Sequence, residues 1–397
     1  MIHPIPESEV AIQAVSNSAH RKVFIQLAGQ FYLNDPHWVP RLYWERWLAF
    51  SRRNPFFEHG RWQAWIAYRG GCPVGRISAQ IDDLEKSQNR NRGYFGLLEA
   101  EDNQETFRVL LKTAESWLAE RGIKEIVGPM NLNINQEIGL LVEGFESPPY
   151  LMTPHTAPWF APRVEACGYE TAAEALAFIA ETELALKRLE ESKKRMLAVF
   201  NRRSGYRHEN LVVRPINYSR LADENRTIKG IFDDAWSENW GFVPFGEKEL
   251  RENLQKVRLL GKAELIQIAE YESEAVGFAM LVPNLNEVLH KLKSRLLPLG
   301  WLKLLWCLGT NAIQTGRLPL MGIRKKFHKT PLGTHAIQAL LSAIFMHARQ
   351  RRMHSVEMSW ILKSNRQAGS SAVKMTNGRV HKTYRMYRKL LQPESRQ

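Results

Sequence analysis

Residues 318–388 constrain the fold more than any other stretch: LPLMGIRKKFHKTPLGTHAIQALLSAIFMHARQRRMHSVEMSWILKSNRQAGSSAVKMTNGRVHKTYRMYR. A short apolar run opens it, followed by a basic loop with a single glycine. Ile337, Leu340, Leu341, Ile344, Phe345 and Ala348 then recur at three- and four-residue spacing, which predicts a helix with one apolar face. The strand predicted next alternates, with Val356, Met358, Trp360 and Leu362 on one side and Glu357, Ser359 and Ile361 on the other. A further strand carries Tyr384 and Tyr387. A basic loop that runs into a helix N-terminus is an anion site in the making, because free N–H groups and the helix dipole face the ligand.

The first half of the chain follows the same grammar. WQAWIAYRGGCPVGRISAQID reads as two strands joined at Arg69-Gly70-Gly71. The strand YFGLLEA follows, then a helix from about Asp102 to Arg121, with a capping-box pattern at Asp102 and Glu105 and a stop at Gly122. In the second half AELIQIAEYESEAVGFAMLV repeats the strand pair, with Val276-Gly277 in the place of Val74-Gly75. Two copies of one α/β unit are expected: residues 1–180, a charged linker helix at 181–207 ending near Ser204-Gly205, and residues 208–397 with a basic amphipathic insert at 285–312. Gly75 lies 28 positions before Asn103, whereas Gly277 lies 56 before Gly333, so the insert accounts for the doubled interval. The acidic EAEDNQE at the first helix start would repel a pyrophosphate, so only the second copy is expected to bind one.

Charge is split along the chain. Residues 1–180 carry 17 Lys+Arg against 21 Asp+Glu, and the remainder 38 against 20, giving −4 and +18 of a net +14. Between Glu287 and Glu357 there are twelve basic residues and no acid. That asymmetry implies an anionic partner: a phosphate-bearing co-substrate, an anionic membrane surface or nucleic acid. No helix-turn-helix or RNP pattern is legible, which argues against nucleic acid. Cys72, Cys167 and Cys307 are scattered, without metal-ligand spacing, so neither a disulfide framework nor a zinc site is expected and a reducing cytoplasm fits. The N-terminus lacks the pattern of a signal peptide, and no run offers the ~20 apolar residues of a membrane span. Residues 288–306 mix leucines and tryptophans with Lys291, Lys293, Arg295 and Lys303, and are broken at Pro298 and Gly300. They suit either an interfacial location on a membrane or helices covering the body.

Four stretches occur together in one protein family: IFDDAWSENWGFVPFGEKEL (231–250), LNEVLHKLKSRLLPLGWLKLLW (285–306), EMSWILKSN (357–365) and KTYRMYRK (382–389). EIVGPMNLNINQEIGLLVEGFESPP (125–149) fits the same pattern. The chain from about residue 18 to 391 thereby resembles the bacterial ceramide-synthase-like branch of the GCN5-related N-acyltransferase (GNAT) superfamily. The resemblance implies an α/β fold of two tandem GNAT-like units, each a mixed central sheet flanked by helices. It also implies transfer of a fatty acyl group from acyl-CoA to the amine of a long-chain, sphingoid-type base.

The candidate residues follow from that chemistry. The superfamily's pyrophosphate loop corresponds to His328-Lys329-Thr330-Pro331-Leu332-Gly333, with Pro331 in place of a glycine and therefore one N–H donor fewer. Lys329, Gly333, Thr334 and His335 are the expected acyl-CoA contacts; the alternative is a helix start capped by Thr334 without a ligand. Amine acylation needs a base and an acid for the departing thiolate. Glu357, beside the expected thioester, is the candidate base or else a salt-bridge partner, and Tyr384 the candidate acid. Asn365 could hydrogen-bond the pantetheine arm or simply close a turn. Trp236, Asn239, Trp240 and Phe242 combine aromatic walls with an amide, as an acceptor pocket would, or form core. Asn131, Asn133 and Asn135 alternate after a strand, so one face would present three amides, unless they serve turns. No histidine spacing suggests a metal. Acylation of another small amine or peptide, and a non-catalytic regulator of the same fold that binds nucleic acid through its basic half, remain open.

Overall fold

Both strand pairs close through left-handed two-residue turns, at Gly70 (φ 56°) and Gly71 (φ 80°) in the first and at Glu272 (φ 49°) and Ser273 (φ 68°) in the second. Such turns match the right-handed twist of the flanking strands, which fixes each hairpin's register. The structure, a computed structural model, describes residues 9–88, 90–203, 208–260, 262–365 and 368–391.

The chain forms two units. The first draws on residues 1–148, 152–174 and 384–397. Its elements are β1 (Val10–Ala14), α1 (Ser18–Leu27), α2 (Tyr43–Ala49), β2 (Gly60–Arg69), β3 (Cys72–Asp82), β4 (Arg92–Ala100), α3 (Gln104–Ala119) and β5 (Glu125–Gly128). The small ribbon of β6 (Met130–Asn131) and β7 (Glu137–Ile138), then β8 (Leu140–Glu143) and α4 (Phe160–Glu165), complete it. The sheet order is β1-β2-β3-β4-β5, antiparallel except for the parallel pair β4–β5. Phe107, Leu110, Leu111, Ala114 and Leu118 of α3 are buried in one core with Ile77, Phe95 and Ile126. The cap of α3 is Asn103, not Asp102: the Asn103 side-chain oxygen accepts from Glu105 and Thr106 N–H at 3.0 and 3.2 Å, while Asp102 pairs with Arg163. Gly122, at φ 76°, ends the helix region as expected.

The second unit draws on residues 149–151 and 175–383. In chain order it contains β9 (Glu170–Glu181, from Ala175 on), α5 (Thr182–Arg203), β10 (Leu211–Pro215), α6 (Leu221–Trp236), α7 (Glu247–Leu260), β11 (Ile266–Tyr271) and β12 (Glu274–Pro283). There follow α8 (Asn286–Lys291), α9 (Gly300–Gly309), β13 (Thr315–Ile323), α10 (Pro331–Gln350), β14 (Ser355–Leu362) and α11 (Ala368–Thr376). Its sheet runs β10-β11-β12-β13-β14-β9, with β13–β14 the parallel pair. The expected linker helix, α5, is core material: Ala185 and Leu189 are buried, and the Leu189 carbonyl accepts from Gln338 of α10 at 3.3 Å. Its expected end at Ser204-Gly205 lies outside the described residues.

The two sheets repeat down to their irregularities. Gly75 faces Ala67 with a bulge immediately after, and Gly277 faces Ala269 with a bulge in the same place. A Cβ on Gly277 would press on Ile323 and the Gly322 carbonyl, so that position requires glycine, while one on Gly75 would meet the end of the Leu110 side chain. The sixth strand differs in origin. β15 (Arg379–Leu390) belongs to the first unit from Tyr384 on and pairs antiparallel with β5, while the second unit's sixth strand is β9. Each sheet thus takes its last strand from the other half of the sequence, and the expected division at residue 180 is crossed in both directions. An unpaired edge on β5 or β14 would leave a row of backbone groups without partners.

Candidate active site

The parallel pair β13–β14 is hydrogen-bonded only from Thr315–Ser355 to Leu318–Met358, although the strands run on to Ile323 and Leu362. Beyond Leu318 and Met358 the two strands part. A crevice beyond the carboxyl ends of paired parallel strands, with a helix following one of them, is where α/β sheets receive ligands. Arg317 lies opposite Glu357 one rung before the pairing ends. The β14 alternation puts Glu357 and Ser359 on the face away from Val356 and Met358, as expected, but that face is covered too: Glu357 is 0% and Ser359 3% exposed.

A buried carboxylate survives only with partners, and Glu357 has three around it. The Ser359 hydroxyl donates to Oε1 at 2.6 Å, the His381 ring meets Oε2 through Nε2 at 2.7 Å, and Arg317 Nε stands 3.7 Å from Oε1. Arg317, itself 2% exposed, donates from Nε to the Ser359 hydroxyl at 2.8 Å and from Nη1 to the Leu151 carbonyl at 2.8 Å. Its guanidinium lies over the Trp360 ring. The result is a one-way relay in which Arg317 and Ser359 both direct hydrogens toward one carboxylate.

His381 is the member of the cluster that reaches outward, with 13% of its side chain exposed against 0% for Glu357. With Nε2 committed to the carboxylate, Nδ1 is the nitrogen left to accept a proton, and the carboxylate balances the positive charge that results. Tyr150 packs edge-on to the His381 ring, the centroids 5.9 Å apart. Burial pushes the Tyr150 phenol up to about 12, with nearby Glu357 adding to the rise and the Ser355 and Thr315 hydroxyls opposing it. It therefore carries its proton at neutral pH. The cluster sets an imidazole, a buried carboxylate bonded to it and a phenol side by side.

At the start of α10 the cap is Thr330, not Thr334. The Thr330 hydroxyl accepts from the Gly333 N–H at 3.0 Å, and the Thr334 hydroxyl turns back to the Thr330 carbonyl at 3.0 Å. Pro331 sits in the first turn, where its missing N–H costs nothing. A Cβ on Gly333 would collide with the Phe327 carbonyl oxygen, so this glycine serves the loop's own packing. His335 is buried on α10, and burial, with His208 and Lys193 nearby, pushes its imidazole down to about 4. Lys329 is exposed in the loop, whereas Lys325 pairs with Glu238 and Lys326 with Glu274.

The aromatic element divides. Phe242 is in the core, and Trp236 stacks on Phe232 with centroids 4.7 Å apart. Asn239 and Trp240 are half-buried, and Asn365 donates to the Asn239 side-chain oxygen at 3.3 Å. Two amides singled out from distant parts of the sequence thus meet. Tyr384 is fully buried and belongs to the first unit, as does Tyr387, whose hydroxyl donates to Glu165 at 2.8 Å. The expected row of three asparagine amides does not form, because β6 ends at Asn131 and Leu132 takes a φ of 72°. Asn131 accepts from the Leu97 N–H and donates to Glu137, both at 2.8 Å, and Asn133 accepts from the Asn135 N–H.

Those bonds fill the first unit's counterpart of the crevice. β4 and β5 pair only over Arg92–Glu125 to Tyr94–Val127, and beyond that β6 is held against β4. Gln80 donates to the Met130 carbonyl, and a Cβ on Gly96 would strike that same carbonyl. Among the described residues no group of three or more His, Cys, Asp or Glu could hold a metal, and no helix is long and apolar enough to cross a membrane.

Sequence reasoning missed His381, Tyr150, Ser359 and Arg317 as partners of Glu357. Tyr150 follows the 125–149 motif by one residue, and His381 precedes the 382–389 motif by one. Extending each motif by a residue would have included both, but nothing in their spacing announces that they meet.

No family model matches the chain. It is 38% identical over 392 residues to the bacterial ceramide synthase of Caulobacter vibrioides (strain NA1000 / CB15N), which spans 97% of this chain and 98% of that one. It is 36% identical over 384 residues to Protein YghO of Escherichia coli (strain K12), 95% of each chain. Among solved structures, a tandem GNAT protein from the clavulanic acid biosynthesis pathway, without AcCoA, aligns with 98% of this chain and 100% of its own. Its TM-score is 0.54 at 10% identity, a likeness of fold. Near-full-length identity of this order makes the chain an N-acyltransferase enzyme of the bacterial ceramide-synthase-like family, with the fold of tandem GNAT proteins.

Proposed function

We propose that this enzyme moves a fatty acyl group from acyl-CoA to the amine of a long-chain, sphingoid-type base, giving a ceramide-type amide and free CoA thiol. The observation that carries the mechanism is the His381–Glu357 pair, 2.7 Å apart, where β13 and β14 part. The acyl thioester enters between these strands. His381 Nδ1 takes a proton from the attacking ammonium, directly or through water, while buried Glu357 holds the ring and offsets its charge. The amine nitrogen bonds to the thioester carbonyl carbon, the C–S bond breaks, the Tyr150 phenol gives its proton to the departing thiolate, and the second proton lost by the amide nitrogen returns to the Tyr150 phenolate through water. Glu357 is then a positioning residue and His381 the base.

The second unit is the acyl-CoA binder in this reading. The filled crevice of the first unit supports that choice, and Lys329 with Asn365 and Asn239 supplies polar contacts along the arm of the co-substrate. Acceptor selection for long chains is supported by the name of the Caulobacter relative and by the half-buried Trp240 beside Asn239. Substrates of this kind place the enzyme in the cytoplasm, peripheral on the inner membrane face. The test is thiol release from a long-chain acyl-CoA with acceptors of graded length. At about 0.8 kcal/mol per buried methylene, acceptor affinity should climb steeply with length. Turnover indifferent to length would refute the sphingoid acceptor, and absence of turnover with any amine would refute the reaction.

A further inference from the structure

The helix α9 is apolar on nearly every side, yet only half of it is covered. Leu304, Cys307 and Leu308 face inward and pack with Val288, Leu292 and Ile313 into a small separate core. At 100° per residue, Trp301, Leu305, Leu302 and Trp306 fall together on the opposite arc. All four are exposed, at 44%, 57%, 46% and 61%, and Leu297 and Leu299 in the preceding turn are exposed at 75% and 67%. An uncovered apolar arc of this density is a contact surface rather than scattered exposure. The Trp301 indole N–H donates to the Pro298 carbonyl at 3.0 Å, so that ring can enter an apolar medium without carrying an unpaired donor.

The charge around the arc names its partner. Lys291, Lys293, Arg295 and Lys303 are exposed beside it, and among the described residues none of them has an acidic partner. There is no acid in the sequence between Glu287 and Glu357. Glu287, the acid that precedes this run, is turned to the Gln314 N–H and the Thr315 hydroxyl. A protein partner would be expected to meet six apolar side chains with a shaped groove. A fluid anionic lipid surface needs only an amphipathic wedge, with cations at headgroup level and leucine and tryptophan below it.

We propose that the α8–α9 insert is a membrane-docking surface that seats this enzyme on anionic phospholipid through Leu297, Leu299, Trp301, Leu302, Leu305 and Trp306. The proposal rests on the lipid-substrate reading for its purpose, but not for its test. The full chain, without substrates, is sedimented with vesicles of phosphatidylglycerol and phosphatidylcholine and with phosphatidylcholine alone. The wild type should bind the anionic vesicles and lose at least about tenfold in partitioning between low and high salt, because exposed lysines act through a screened field. Leu297→Ser/Trp301→Ser/Leu305→Ser should reduce partitioning at least about 100-fold with unchanged thermal unfolding, since the side chains removed support no core. Lys291→Gln/Lys293→Gln/Arg295→Gln/Lys303→Gln should abolish the salt-sensitive part alone. Wild-type protein that stays in the supernatant overturns the proposal. So does a self-association, seen by analytical ultracentrifugation, that the serine variant dissolves, because the arc would then be covered by a second copy. Vesicle binding without acyl transfer would leave this surface standing and count against the reaction; soluble protein that still acylates a long-chain amine would do the reverse.

Discussion

Replacing Glu357 with glutamine separates a carboxylate that is itself the base from one that positions His381. The side chain is 0% exposed, so glutamine keeps its volume in place, and its amide oxygen can still accept the Ser359 hydroxyl now at 2.6 Å. Arg317 retains the Ser359 hydroxyl and the Leu151 carbonyl as acceptors, so the fold should survive. What changes is the side facing His381. An amide NH2 there makes Nε2 the acceptor and puts the ring proton on Nδ1, which can then no longer take the substrate proton. The charge is lost as well: two unit charges about 4 Å apart at an effective dielectric of about 20 interact by about 4 kcal/mol. Losing most of that where the imidazolium forms slows the chemical step by about 10²–10³-fold. Single-turnover acylation with saturating acyl-CoA should show that loss, with acyl-CoA affinity changed by less than about threefold. His381→Gln should fall equally far, and the double variant little further, because the two act as a unit. A Glu357→Gln enzyme within about threefold of wild type, or additive losses in the cycle, would refute the pairing.

Three further outcomes follow from the geometry. Gly333→Ala should lower stability by about 2 kcal/mol or more, as overpacking does, because its Cβ meets the Phe327 carbonyl; denaturant melts should show this before any ligand is added. Glu137 is held down at about 2 against burial by Arg41, Arg46 and the Asn131 amide. Its folded pKa lies below the unfolded one, so its stabilisation is complete above about pH 4.5 and is lost as pH falls toward 2. At about 1.4 kcal/mol per pH unit of separation this amounts to roughly 3 kcal/mol, which Glu137→Gln should remove from the acid limb of a stability–pH curve. Asn131→Ala should cost about 1–3 kcal/mol by leaving the Leu97 N–H unpaired, with an unchanged denaturant m-value.

The sequence by itself determined what is local and periodic. The α10 helix follows from apolar residues at three- and four-residue spacing, and the hairpins from their alternation and turns. The duplication was legible because Val74-Gly75 and Val276-Gly277 recur at matching places in a strand pair. Glu357 was marked by chemistry alone, as the first acid after a long cationic run. Tertiary structure decided the rest, because it depends on contacts whose partners are far apart along the chain. The exchange of sixth strands satisfies two sheet edges, and no local pattern specifies which strand will reach them. Whether a crevice is filled turns on the Met130 carbonyl and the Asn131 side chain meeting Gln80 and Leu97. Burial on both faces of β14 encloses Glu357, so the side chain of the pair that faces outward is His381. A sequence lists the two residues 24 positions apart; only the packed sheet brings the imidazole to the carboxylate at 2.7 Å.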